Sequence, residues 1–137
     1  RRLEVAVDTD ELVENFLMFD EWEDRYTYLV DLGKKLPDLN PAEKVDANKV
    51  QGCLSQVWFV VDPSDDGALR WRGDSDSSIV KGLIAVLQVA YAGQPRDRVA
   101  SVDIDGLFET IGLSRHLSMN RRNGFTAMVA KLRDFAA

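Results

Sequence analysis

Cysteine and histidine are almost missing from this chain: its 137 residues include one of each, Cys53 and His116. A lone cysteine excludes an internal disulfide framework, a CxxC redox pair and any zinc site built on two or more thiolates. A lone histidine excludes the two-histidine metal motifs and leaves only carboxylate-rich sites open. No apolar run reaches the roughly 20 residues that a membrane-spanning helix needs, and no charged-then-apolar leader opens the chain. We therefore expect a cytoplasmic protein that does not engage a membrane. Positive charge is also in deficit, with 17 basic against 23 acidic residues and a net charge of −6. That balance argues against nonspecific nucleic-acid binding, which needs a basic face to displace counterions. The 45% of residues that are hydrophobic supply enough for one core and too little for two, so residues 1–137 are expected to form a single domain.

The charge is unevenly spread. Residues 1–50 hold 13 acids and 7 bases, residues 51–114 hold 9 and 5, and residues 115–137 hold 1 and 5. The cationic C-terminal segment is either a solvated helix face or a surface that steers an anionic partner.

Apolar spacing predicts the elements. Asp8, Thr9 and Asp10 offer caps for a helix carrying Leu12, Val13, Phe16 and Leu17. A second helix starts near Asp20 with Trp22, Tyr26, Leu29, Val30 and Leu36 on one face. Pro41 to Val45 is read as a single helical turn. The period then changes: Val57 to Val61 and Ala68 to Asp74 read as two strands of an antiparallel hairpin around the Pro63–Gly67 turn. A short strand near Asn48 to Gln51 is expected on its edge. Asp76 or Ser77 caps a helix that is apolar on nearly all sides from Ile79 to Tyr91, predicted to be the central buried helix. A short helix at Asp105–Ile111 and a last amphipathic helix capped by Ser118 complete an α+β domain, with a small antiparallel sheet of about three strands packed against several helices.

Cys53 lies in a loop entering the first long strand, beside Gly52, whose lack of a side chain permits a tight turn. It is either a small buried hydrophobe or a thiol tuned for reaction by Ser55, Gln56 and the C-terminal arginines. His116 is either a loop histidine bound to backbone or a base for the thiol, which keeps a Cys–His hydrolase in view. The oxygen-rich run Gly73-Asp74-Ser75-Asp76-Ser77 lacks the spacing and terminal glutamate of a calcium loop, and turn and capping duties explain it more simply. Arg121 and Arg122 open the last helix against its positive dipole end, a local conflict of the sort found at functional surfaces.

Three segments, in order, resemble the SufE family of sulfur acceptors. Gly52-Cys53-Leu54-Ser55-Gln56-Val57-Trp58 is similar to the family's GCxSQVW segment. Gly73-Asp74-Ser75-Asp76 with Ile79-Val80-Lys81-Gly82-Leu83 is similar to GDSD…IVKGL, and His116-Leu117-Ser118-Met119-Asn120-Arg121 to HLSPSR. Leu54 stands where the family often has glutamine, and Met119 and Asn120 replace its usual proline and serine. The resemblance implies a SufE/IscU-like fold. It also implies that Cys53 accepts persulfide sulfur from a cysteine desulfurase of the SufS/CsdA type, stimulates that enzyme, and hands the sulfur to an iron–sulfur scaffold such as the SufBCD complex. Gly52, Gln56, Asp74, His116 and Arg121 become candidates for the thiol environment or for partner contact. The chain would need no cofactor of its own, since the pyridoxal phosphate belongs to the partner, and would act as a monomer or weak homodimer. A purely regulatory desulfurase-binding module is the alternative within the same resemblance. A lone thiol suits a carrier, because a second one nearby would displace the sulfur as sulfide.

Overall fold

The computed structural model describes residues 8–91 and 93–137; residues 1–7 of the expected domain and Ala92 lie outside the described residues. Helix α1 (Thr9–Leu17) starts where the capping residues Asp8, Thr9 and Asp10 predict: the Asp8 carboxylate accepts from the Glu11 amide, and the Glu11 side chain reaches back to the Asp8 amide. This reciprocal cap satisfies two of the helix's orphan donors. It buries Leu12 and Phe16, while Leu17 stays on the surface.

Helix α2 (Trp22–Lys34) turns its expected face inward at Leu29, with Leu36 buried just beyond its end and Trp22 against the core, but the buried stripe is rotated past Tyr26. Leu29, Leu32 and Gly33 point inward, whereas Tyr26 is exposed. The reason is the close crossing with α3 (Ser78–Tyr91). A Cβ on Gly33 would lie 2.6 Å from the Gly82 amide nitrogen, and one on Gly82 would lie 2.5 Å from the Leu29 carbonyl oxygen. Only glycine on both helices permits this approach, so the phase of α2 is set by Gly33 rather than by its aromatic residues. Helix α3 is the buried centre that its composition predicts, with Ile79, Val80, Leu83, Ile84, Val86 and Leu87 all in the core. The Ser77 hydroxyl accepts from the Val80 amide at its start.

Between α2 and α3 lie single turns at Pro41–Glu43 and Asp46–Asn48, then strands β1 (Val57–Val61) and β2 (Trp71–Ser75). The strands pair antiparallel with Val57 opposite Ser75, Trp58 opposite Asp74 and Val60 opposite Arg72. Among the described residues the sheet has two strands rather than about three. The segment expected to add an edge strand makes one isolated bridge, Lys49 to Trp58, because the turn at Asp46–Asn48 precedes it and the positive-φ turn at Gly52 follows it. On the other side, Ala68 bridges Pro95. The Leu69 amide donates to the Gln94 carbonyl there, so this stretch pairs away from β1 and β2 begins later than its alternation suggests.

The chain closes through a 3-10 helix at Arg96–Ser101, α4 (Ile104–Thr110), α5 (Leu113–His116) and α6 (Met119–Ala136). The 3-10 helix and α5 are too short to carry a periodic signal in the sequence. Gly112, at φ +85°, makes the sharp turn between α4 and α5. Phe125, Met128, Val129 and Leu132 of α6 join the same core as α1, α2, the sheet and α3. Among the described residues no helix is long and apolar enough to cross a membrane.

Candidate functional site: a half-buried thiol at a shared cavity

The loop 51–56 leaves the bridge at Lys49–Val50 and returns into β1. Its neck is closed by the Val50 amide donating to the Val57 carbonyl at 2.8 Å. Gly52, at φ +93°, turns the chain inside it, and a Cβ there would also press on Ala127 at 3.2 Å. At the far end, the Gln56 amide donates to the Asp76 carboxylate at 3.1 Å, and the Asp76 amide returns a bond to the Gln56 carbonyl at 3.3 Å. The first hinge is tied by a main-chain bond and the second by both the carboxylate and the amide of Asp76.

Cys53 sits at the tip of the loop, half-buried. Its thiol donates to the Gly124 carbonyl of α6 at 3.7 Å. A Cβ on Gly124 would be 3.5 Å from the Cys53 Sγ, so this glycine lets the loop lie close against the helix. The thiol borders a cavity of about 210 Å³. Val80, Leu83 and Met128 supply apolar lining, and Ser118, Asn120 and Arg121 add the polar start of α6. Leu54, the next residue on the loop, is 82% exposed. Burial pushes the Cys53 thiol above its ordinary pKa. In this closed arrangement the thiol is therefore protonated at neutral pH and a weak nucleophile.

Arg121 lines the cavity as a cationic group whose Nη1 lies 3.4 Å from the Ser77 hydroxyl. Its amide donates to the Ser118 hydroxyl, which caps α6 as expected. The guanidinium and the helix start together make this part of the lining favourable to an anion on sulfur.

The six residues singled out from the sequence fall into three groups. Cys53 and Arg121 meet at one cavity, while Gly52 and Gln56 shape the loop that carries the thiol. Asp74 and His116 lie elsewhere. His116 ends α5 with its ring stacked on Trp22, centroids 4.5 Å apart and planes 10° apart. It does not line the cavity, and the Cys53 thiol bonds a carbonyl instead, so a Cys–His hydrolase lacks its base in this geometry. Asp74 is buried, with its side chain 3% exposed, between Lys44 at 3.2 Å and Lys81 at 3.6 Å. Burial opposes its charge, but the Ser75 amide and the two lysines outweigh that penalty and hold its pKa below the ordinary value. The two carboxylates of the Gly73–Ser77 run thus diverge, Asp74 to the lysines and Asp76 to the loop hinge, as turn and anchoring duties require.

Three contributors escaped the sequence reading. The apolar lining of Val80, Leu83 and Met128 is indistinguishable in sequence from core. Asp76 reads as a helix cap. Gly124 carries a signal: a glycine inside a helix costs about 1 kcal/mol against alanine, and its presence in α6 marks a close approach.

With this geometry in view, the chain matches the family described as SufE: Fe-S metabolism associated domain across residues 10–136. It is 42% identical to a SufE-like protein of Rhizobium etli over 130 residues, covering 93% of this chain and 88% of that one. It is 38% identical to a SufE-like protein of Rhizobium meliloti, covering 93% of each. The solution structure of a hypothetical protein from Thermus thermophilus has the same fold, with a TM-score of 0.74 at 21% identity and coverage of 93% of this chain and 92% of that one. A match that takes in the thiol loop, the central helix and the helix that closes the cavity leaves one assignment: the chain belongs to the SufE family, associated with Fe–S metabolism.

Proposed function

We propose that this protein is a sulfur carrier that takes persulfide sulfur on Cys53 from a pyridoxal-phosphate-dependent cysteine desulfurase and delivers it to an iron–sulfur scaffold. The Cys53 thiolate attacks the outer sulfur of the donor persulfide. A bond forms between that sulfur and the Cys53 Sγ, the donor's S–S bond breaks, and the donor cysteine leaves as thiolate. The exchange transfers one sulfur atom with no net oxidation or reduction.

The observation that carries this reading is the setting of the thiol: half-buried on a loop tip, facing a cavity far larger than the thiol needs, beside Arg121. The raised Cys53 pKa keeps the thiol quiet in the closed loop. Moving the tip out of the cavity removes the burial that raises it, so contact with the donor coincides with activation. After transfer, the same cavity takes the added sulfur. Arg121 and the start of α6 stabilise the persulfide anion there, and the apolar lining keeps stray thiols and oxidants away.

The test is mass spectrometry of Cys53 after incubation with a cysteine desulfurase and free cysteine. The expected result is a gain of one sulfur atom on Cys53, abolished in Cys53→Ser together with delivery to a scaffold. Full desulfurase stimulation and normal sulfur delivery by Cys53→Ser would overturn it and leave a regulatory binding module.

A further inference from the structure

Loop 51–56 has two hinges, and they are held by different chemistry. The downstream hinge at Gln56 is held by two bonds to Asp76. The upstream hinge at Lys49–Val50 belongs to a segment, residues 40–50, that meets β1 through a single bridge. Side chains from β2 tie that segment down. Arg72 and Asp74 are two residues apart on one strand and so project from the same face. In the register of the hairpin they stand opposite Val60 and Trp58 of β1. Arg72 binds Glu43 through two bonds of 2.7 and 3.1 Å, and Asp62 through two more. Asp74 binds Lys44, whose ammonium also lies 5.7 Å from the centre of the Trp58 ring. Glu43 and Lys44 are neighbours, so the strap is pinned at one place by two opposite charges.

We infer that Lys44 and Asp74 are positioning residues for sulfur acceptance: they hold the upstream hinge of the thiol loop and set how often Cys53 leaves its cavity. The inference rests on the sulfur-acceptor reading for its consequence, and on the loop geometry alone for its mechanism. Asp74 is too buried to meet a partner, so its influence on the thiol passes through Lys44 and the strap. Lys44 is the adjustable half of the pair, because its side chain is 36% exposed and water can solvate it when the bond opens. Its removal leaves the Asp74 carboxylate with Lys81 and the Ser75 amide as partners. The fold therefore has no newly unpaired buried charge to absorb.

The experiment measures alkylation of Cys53 by iodoacetamide in the free protein, alongside amide hydrogen exchange, for wild type, Lys44→Met, Lys44→Arg and Asp74→Asn. Lys44→Met is expected to alkylate about fivefold faster, the scale of one partly exposed ion pair. Its Val50 and Gln56 amides should exchange faster, with amides of α3 unchanged. Lys44→Arg should return the alkylation rate to near wild type, and Asp74→Asn should reproduce the Lys44→Met rate or exceed it. In charging by the desulfurase, Lys44→Met should lower the apparent KM for the carrier and leave kcat unchanged, because the open loop is more populated before contact. Alkylation of Lys44→Met within about 1.5-fold of wild type on this roughly fivefold scale, or faster exchange spread evenly through α3, would overturn the inference. Neither result depends on sulfur transfer, so a Cys53 that gains no sulfur would defeat the proposed function and leave the hinge measurement standing.

Discussion

The α2–α3 crossing and the strap over the sheet edge hold their neighbours by opposite means. At the crossing, Gly33 and Gly82 bring two helix backbones into contact within an apolar core. At the strap, Glu43 and Lys44 are held by ion pairs in which Glu43, Arg72 and Lys44 are part-exposed to solvent and Asp74 alone is buried. Close apolar packing gives way only at a large cost. Partly exposed ion pairs contribute little each and exchange readily with water. The contrast teaches where the molecule keeps its stability and where it keeps its freedom to move: the thiol loop hangs from the second region, while α3, one helix of the first, supplies Val80 and Leu83 to its cavity.

The largest expected effect lies at the crossing. Gly82→Ala places a methyl group 2.5 Å from the Leu29 carbonyl and must push α2 and α3 apart. We expect a loss of about 3 kcal/mol of stability, read by urea denaturation. A loss below about 1 kcal/mol would mean that the crossing is softer than its geometry implies. Next comes Gly52→Ala, which forces a side chain into the left-handed region and against Ala127. It should cost about 1–2 kcal/mol in the closed loop. Because the strain is relieved by opening, Cys53 alkylation should accelerate severalfold even though α3 amides stay protected. Equal protection loss in the loop and α3 would erase the distinction between the two regions.

The smallest effect is a shift along the pH axis. The raised pKa of Cys53 means that the reactive thiolate forms only as pH rises past the range of an ordinary cysteine. The alkylation profile of the free protein should lie to the alkaline side of the same profile in denaturant. A coincident or more acidic profile would show that Arg121 and the α6 start already activate the thiol without loop movement.

Legibility in the sequence follows the same division. The core elements announce themselves through period: Leu12 with Phe16, Val57 to Val61, and the apolar circumference of α3 fold as their spacing predicts. The face of α2 does so only in part: Leu29 is buried as its spacing predicts, but Tyr26 is exposed, because the backbone approach at Gly33, invisible to a hydrophobic pattern, decides the packing. The edge strand near Asn48 fails for a related reason: local propensity cannot show that a 3-10 turn and a left-handed glycine leave room for one bridge only. The site divides likewise. Cys53 and its glycine are legible from the loop motif, but the assignment of Asp74 to Lys44, and of His116 to Trp22, depends on contacts between segments far apart in the chain. Of the side chains that wall the cavity, Leu83 and Met128 look like any other core residue until the loop is seen beside them.

One consequence follows from the order in which that cavity is assembled. Its thiol comes from the middle of the chain, whereas Gly124, Arg121 and Met128 come from the last helix. During synthesis Cys53 leaves the ribosome long before the helix that will cover it, so the nascent chain carries a bare thiol with no helix to shelter it. Completion of α6 is what turns that thiol into a protected one. A chain cut short before α6 would keep its cysteine and lose the cavity that half-buries it.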